Sequence, residues 1–375
     1  MIVNADLHIH SRFSMASSPD MVPEALVGAC KKKGIQVLGS GDALHPAWQK
    51  LWEEYQGDDT GVLVVPSTEV EDRNRVHQVI LMEQFSDFSE LHSRLKPFSK
   101  DITTGGRPHV RLSGEEIAGH VHEIGGLIGP AHAFTPWTSL YAYFDRVSEC
   151  YGHEKIDFLE LGLSADSSYG AAISELYDIP FITNSDAHSP DPAKCGREFT
   201  SLDLRSLTVG NVLSALKKGS INRNVGFFPE EGKYNRTACT RCFHKYTPAE
   251  AAGYHWRCPL DKGRIKLGVF DRAQLLSDGE PRPRPPYLHM IPLGEIIKAS
   301  LHVSSSRTKK ALALYTRLIG TFGNEIDLLT SSPISEIRAI DKGTADAIDA
   351  LRNNRVSFNP GGGGQYGTFT LLPAV

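Results

Sequence analysis

Cysteine is scarce in this chain: six in 375 residues, too few for the disulfide framework of a small secreted scaffold. No apolar run approaches the roughly 18 residues that a membrane-spanning helix needs. The opening MIVNADLHIH carries neither a basic segment nor a signal-type apolar stretch. These absences predict a cytoplasmic protein with no membrane partner. An overall excess of positive charge is missing as well. The 40 Lys and Arg against 44 Asp and Glu give a net charge of −4, which argues against a generally basic nucleic-acid binder. What is present is ordinary globular composition, 40% hydrophobic and 22% charged, rich enough to bury a sizeable core.

Charge is distributed unevenly. Residues 217–284 hold 14 Lys and Arg against 7 Asp and Glu, a local net charge of +7 that leaves −11 for the remainder. Three of the six cysteines fall in the same basic stretch, at Cys239, Cys242 and Cys258. The length predicts two or three domains. The pattern places boundaries so that residues 1–222, 223–276 and 277–375 form separate units.

In the first unit, short apolar runs alternate with helical patterns. Ile2–Asp6, Ile35–Gly41, Val62–Pro66, Val76–Met82, Gly126–Pro130, Phe158–Leu163 and Ile179–Asn184 read as strands. Pro23–Lys33, Ser113–Ile124 and Ser206–Lys217 read as helices. This alternation predicts an α/β fold with a parallel sheet, closed as a barrel or open and doubly wound. After the Pro- and Arg-rich connector 277–286, Ile291–Ser300, Lys309–Phe322 and Ala345–Arg352 read as helices. The chain then reaches a glycine-rich GGGGQYG segment.

Alternate side chains of a strand share a face, so Asp6, His8 and His10 point together if the first strand extends through them. Two imidazoles and a carboxylate at a strand end make a divalent-metal half-site. Later strand ends carry the same residue types: Asp42 and His45, Glu69, His77, His132, then Asp186 and His188. In β/α barrels the carboxyl ends of the strands gather on one face. The pattern therefore predicts a multinuclear centre that activates water for phosphate-ester hydrolysis, without a Ser or Cys nucleophile. Asp186 and His188 would also orient the nucleophile or protonate the leaving group, and His132 is a third candidate. Whether Asp6 is a ligand or supports a histidine is open.

Cys239-Thr-Arg-Cys242 and Cys258-Pro-Leu-Asp261 have the spacing of a structural zinc ribbon. Asp261 stands where a fourth cysteine is expected, with His244 and His255 as competitors. Arg241 and Arg264 lie among basic and aromatic residues suited to a nucleic-acid backbone and its bases.

DLHIH, the GDALH turn, STEVE with Glu69, VHQVIL with His77, GPAHAF with His132, and SDAH resemble the motifs of the PHP (polymerase and histidinol phosphatase) superfamily. That resemblance implies a distorted (β/α)7 barrel holding two or three Zn²⁺ or Mn²⁺ ions, with Mg²⁺ a further candidate. The superfamily's T-D-H turn appears here as Gly41-Asp42-Ala43, with a histidine only at His45, so either Asp42 or His45 could be the ligand. GHEKIDFLELGLSADSSYG, TACTRC, WRCP with GRIKLGVFDR, RPPYLHMIPLGEII and GGGGQYG extend the resemblance, over nearly the whole chain, to the endonuclease Q family. It implies a DNA repair nuclease cutting 5′ of a deaminated base (uracil, hypoxanthine, xanthine) or an abasic site in double- or single-stranded DNA. Phe134, Trp137, Ser167, Ser168 and Tyr169 are then candidates to stack on or read an extruded nucleotide. The terminal TFTLLPAV is a weak candidate for a sliding-clamp peptide. A PHP phosphatase acting on a small phosphomonoester, and a non-catalytic DNA-binding module, are the alternatives.

Overall fold

The computed structural model describes residues 1–55 and 61–372. The terminal residues 373–375 of TFTLLPAV lie outside the described residues.

The fold is mixed α/β. Ile2–Asp6, Val37–Gly39 and Leu63–Val65 pair in parallel, as their apolar runs and the intervening helices predict. The six-stranded sheet then continues on the other side of Ile2–Asp6. Phe199–Asp203 and Ile221–Gly226 join in antiparallel sense, and Tyr287–His289 adds a parallel edge strand. A second sheet of Ser67–Glu71, His77–Leu81 and Leu127–Pro130 is wholly antiparallel. An antiparallel pair needs only a tight turn. Here the carboxylate of Asp72 supplies it by accepting from the amides of Asn74 and Val76 at 2.8 and 2.9 Å. Leu159–Glu160 and Phe181–Ile182 form a short parallel pair. Among the described residues the strands thus form separate short sheets, not one parallel ladder closing a ring.

Helix ends follow local chemistry. Pro23–Lys33 opens on proline, whose missing N–H costs nothing there. Gly114–Ile124 opens with a reciprocal capping box between Ser113 and Glu116.

The three chain segments share their cores. Val269 and Ala273, from helix Val269–Leu276 beyond the cysteine cluster, are buried with Phe134, Tyr141 and Tyr169. Met21, Leu26 and Cys30 are buried with Ile296, Ile297, Leu318, Ile326 and Ile348 of the C-terminal helices. Those helices are Leu293–Ser300, Lys309–Phe322, Glu325–Thr330, Ile334–Ile340 and Lys342–Arg352, followed by a hairpin of Val356–Asn359 and Thr368–Leu371. Lys33 and Glu325, both fully buried, join the N-terminal helix to this bundle by an ion pair of 2.7 Å.

Candidate metal centre and cysteine ribbon

The end of the first strand and the SDAH segment run side by side. Asp186 N donates to His8 O, and His10 N donates to Ala187 O, each at 2.9 Å. This pairing brings His8, His10, Asp186 and His188 to one place. The antiparallel sheet delivers Glu69 and His77, and His132 follows the strand Leu127–Pro130. Three groups of potential ligands result: His8, His10 and Glu69; His10, Asp186 and His188; Glu69, His77 and His132. His10 and Glu69 each belong to two groups, so the three adjoin.

These side chains fit a cation better than they fit one another. His77 Nδ1 lies 2.8 Å from Glu69 Oε1 and His10 Nε2 3.0 Å from Asp186 Oδ1. Yet His8 Nε2, His10 Nε2, His77 Nδ1 and Asp186 Oδ1 are buried without a hydrogen bond. Atoms this close but misaligned for hydrogen bonding, all aimed inward, are what a shared ion satisfies. Burial alone would depress the His8 pKa, but the carboxylates of Glu160 and Glu69 outweigh it and lift that pKa to about 9. The site therefore attracts positive charge, and protons compete with metal for the imidazoles. Asp186 and His132 hold left-handed backbone angles, φ 48° and 32°, uncommon for residues other than glycine and concentrated at functional sites.

Two proposed ligands are not brought to the cluster. Asp42 is fully buried behind His10. It accepts from Ser11 N at 2.7 Å, Ser11 Oγ at 2.5 Å and Ser14 Oγ at 2.8 Å, and faces His10 Nδ1 at 3.2 Å. These donors occupy its oxygens and hold it against the Nδ1 side of the His10 ring. Gly41 makes this turn possible, with φ 63° and no room for a Cβ, which would lie 2.4 Å from Ile9 O. His45 begins the helix Pro46–Glu54 with its ring stacked on Phe13 at 4.0 Å. Neither belongs to a ligand group. Asp6 is also a brace: its two oxygens accept from the amides of Ser185 and Gly196 at 2.9 Å each, pinning the loop that carries Asp186 and His188.

Glu160 was not singled out from the sequence as a functional residue. Its carboxylate meets His8 Nδ1 at 2.9 Å and accepts from His132 N at 2.8 Å and Asn184 Nδ2 at 2.9 Å. It thereby directs His8 Nε2 into the cluster. Its position, an acid at the end of a strand, was the available signal. Carboxylates that orient ligating histidines typically contribute 10–100-fold to metal affinity, so Glu160→Gln is expected to weaken metal binding by about that factor. Titration of metal-stripped protein measures this; unchanged affinity would remove Glu160 from the site. Arg107 is a second such residue, with Nη1 3.0 Å from Glu69 Oε2 and a quarter of its side chain exposed at the mouth.

The nucleotide-reading candidates separate. Phe134 and Tyr169 are buried at 3% and 5% exposure, packed with Tyr141 and Phe270, and Tyr169 Oη accepts from Asn235 Nδ2 at 2.7 Å. They are core residues, because their aromatic mass seals the joint between the first unit and the ribbon. Ser167 is buried as well. Ser168 is exposed but tied to Asp166. Trp137 is 47% exposed and free to touch a ligand.

In the ribbon, Cys239, Cys242, Cys258 and Asp261 bring one ligand atom each within 4.8 Å of one another. Cys242 Sγ and Cys258 Sγ are 3.7 Å apart, and Cys239 Sγ is 3.3 Å from Asp261 Oδ1. A tetrahedral site with Zn–S bonds of ~2.3 Å has edges of about 3.8 Å, so the spacing suits such an ion. His244 and His255 are not in the group. Cys258→Ser in the full chain is expected to release one metal ion per molecule and lower the melting temperature; elemental analysis showing undiminished metal would oppose it. Arg241 and Arg264 both face solvent on the ribbon surface.

With this geometry in place, comparison with known proteins is informative. A family model described as the MJ0043 C-terminal domain matches residues 292–355. The Methanocaldococcus jannaschii protein MJ0043 itself is 40% identical over 250 residues, 64% of this chain but 32% of that one; the match therefore spans about a third of its length. The Bacillus subtilis protein YqxK is 31% identical over 97% of this chain and 98% of its own. The crystal structure of the lesion-specific endonuclease PfuEndoQ from Pyrococcus furiosus matches with a TM-score of 0.95 and 42% identity, covering 99% of this chain and 96% of that one. A structure of Endonuclease Q with a 27-mer duplex bearing an abasic lesion at its active site matches with a TM-score of 0.92 and 42% identity, over 99% and 97% of the two chains. Full-length agreement in sequence and fold, together with the ligand cluster and the ribbon, places this chain in the endonuclease Q family of metal-dependent DNA endonucleases.

Proposed function

We propose that the chain is a DNA repair endonuclease that hydrolyses the phosphodiester 5′ of a deaminated base or an abasic site through a multinuclear metal centre, leaving 3′-hydroxyl and 5′-phosphate ends. The observation that carries this reading is the set of three adjoining ligand groups joined by His10 and Glu69. Divalent ions bound there would supply a nucleophile at neutral pH and offset charge on the phosphoryl oxygens; Zn²⁺, Mn²⁺ and Mg²⁺ all suit the donor set.

The chain's own residues supply position and charge. His8, His10, Glu69, His77, His132, Asp186 and His188 would hold the ions, while Glu160 and Asp42 face the His8 and His10 rings from behind. Asp186 and His188, each with 30% of the side chain exposed, sit where solvent and substrate enter. Burial and the neighbouring His10 keep the His188 pKa below its usual value, so it is neutral and suited to ligation or proton transfer. Arg241 and Arg264 would neutralise backbone phosphates, and Trp137 would stack on a base. Residues 1–222, 223–276 and 277–375 would then serve as hydrolytic unit, DNA-binding ribbon and C-terminal support in a cytoplasmic enzyme, with TFTLLPAV as the segment offered to a sliding clamp. Among the described residues, no helix is long and apolar enough to cross a membrane.

An end-labelled duplex with one deoxyuridine or one abasic site, incubated with each metal, tests the reading. A single nick 5′ of the lesion is expected. Equal cutting of undamaged duplex, or faster turnover of a small phosphomonoester, would overturn it. Val269 and Ala273 of the ribbon segment lie in the same core as Phe134 and Tyr141, so full-length protein is needed for this comparison.

A further inference from the structure

The glycine-rich segment near the C-terminus is not used by the metal chemistry, yet it is built against the ribbon. Gly363 fits only without a side chain: its φ is 64°, and a Cβ would lie 2.1 Å from Cys239 O. Gly364 N donates to Lys233 O at 3.0 Å. A Cβ on Gly364 would stand 3.3 Å from Tyr234 Oη. The loop therefore places Tyr366, 67% exposed, beside Lys233, whose Nζ lies 4.5 Å from the ring centre. On the other side of Tyr234, Trp137 meets that ring edge-on at 4.6 Å and has Lys266 Nζ 4.8 Å from its own centre. Three distant chain segments thus bring exposed Trp137 and Tyr366 to either end of a half-buried Tyr234, with a lysine ammonium over one face of each outer ring, which leaves the other face for a ligand.

This row of rings is joined to the metal centre. Thr135 Oγ1 donates to His132 O and to Trp137 O at 3.0 Å each, and His77 N donates to Thr138 O at 3.0 Å. Its inner end is therefore held by the residues that carry two candidate ligands.

Large aromatic rings held rigidly in water beside cations match a strand of unpaired nucleotides: bases stack on the rings and phosphates meet the ammonium groups. An extruded nucleotide leaves its neighbours unstacked. Building on the endonuclease reading above, we propose that Trp137, Tyr234 and Tyr366 form a stacking platform for the unpaired bases flanking the target nucleotide. The platform holds the opened strand while the phosphate lies at the metals. Base–aromatic stacking carries roughly tenfold to a hundredfold in binding per ring.

The test uses the full-length protein, its Trp137→Ala, Tyr366→Ala and Tyr366→Phe variants, and two substrates. One is a duplex with a single abasic analogue flanked by 2-aminopurine; the other is the same strand inside a bubble of mismatched pairs. Each alanine variant is expected to lose about tenfold or more in kcat/KM on the duplex and on the bubble alike, since the stacked bases are unpaired in both bound states. Tyr366→Phe, which keeps the ring, is expected to stay near wild type. The 2-aminopurine fluorescence change on binding is expected to shrink in both alanine variants. A loss confined to the duplex, or no loss on either substrate, would overturn the platform. A wild-type protein that gives the fluorescence change but cuts neither substrate would overturn the endonuclease reading while supporting the platform.

Discussion

Glu69→Gln is expected to lower kcat/KM on a lesion-bearing duplex by at least about a thousandfold, ~4 kcal/mol of transition-state stabilisation. Glu69 is fully enclosed and belongs to two of the three ligand groups. Its Oε1 meets His77 at 2.8 Å and His132 at 3.1 Å, and its Oε2 meets Arg107 at 3.0 Å. The isosteric amide keeps the volume but removes the charge that holds these cations and imidazoles together. Metal analysis is expected to show ions lost from more than one group, since Glu69 is common to two. A variant retaining more than a tenth of wild-type kcat/KM with its full metal complement would show that the shared carboxylate is not the centre's hinge point.

The second large effect concerns stability. Lys33→Met is expected to cost about 3–5 kcal/mol, because it leaves the Glu325 carboxylate uncompensated in the core. Against a typical total of ~5–15 kcal/mol this is a large fraction. Glu325 also accepts from Leu293 N and Tyr315 Oη, each at 2.9 Å, which limits the damage without replacing the lost cation. Lys33→Met combined with Glu325→Gln is expected to be less destabilised than Lys33→Met alone, since the glutamine oxygen still accepts from Leu293 N, its NH2 can donate to the Tyr315 hydroxyl, and no charge is buried. Urea midpoints at constant slope decide the matter; a loss below about 1 kcal/mol for the single change would mean that solvent reaches the pair.

The clustering of His and acidic side chains was largely legible because strand ends that carry them are visible in one dimension. Seven of the nine residues read as ligands do meet. Asp42 and His45 lie outside the three groups for different reasons. The saturation of Asp42 depends on Ser11 and Ser14, whose orientation no spacing reveals, and His45 is turned onto Phe13 by the helix it begins. Phe134 and Tyr169 show a general limit: an aromatic residue near a site reads the same whether it faces ligand or core, and burial against the ribbon decided here. Antiparallel pairing of Phe199–Asp203 and Ile221–Gly226 was hidden because the helix Val209–Lys218 lies between them, an alternation that ordinarily signals parallel neighbours. Tyr287–His289 lies just beyond a Pro- and Arg-rich stretch that suggested only a connector.

That last strand bears on how the enzyme would take up a duplex. The ribbon leaves the sheet after Gly226 and returns at Tyr287, and Asn224, Val225 and Gly226 pair with Tyr287, Leu288 and His289. Both of its ends are thus fastened to adjacent strands. A module on a flexible linker raises local concentration by sweeping a volume; this one cannot sweep. Its separation from the hydrolytic cluster is set by sheet hydrogen bonds, so a duplex touching both would meet them at a spacing the sheet fixes.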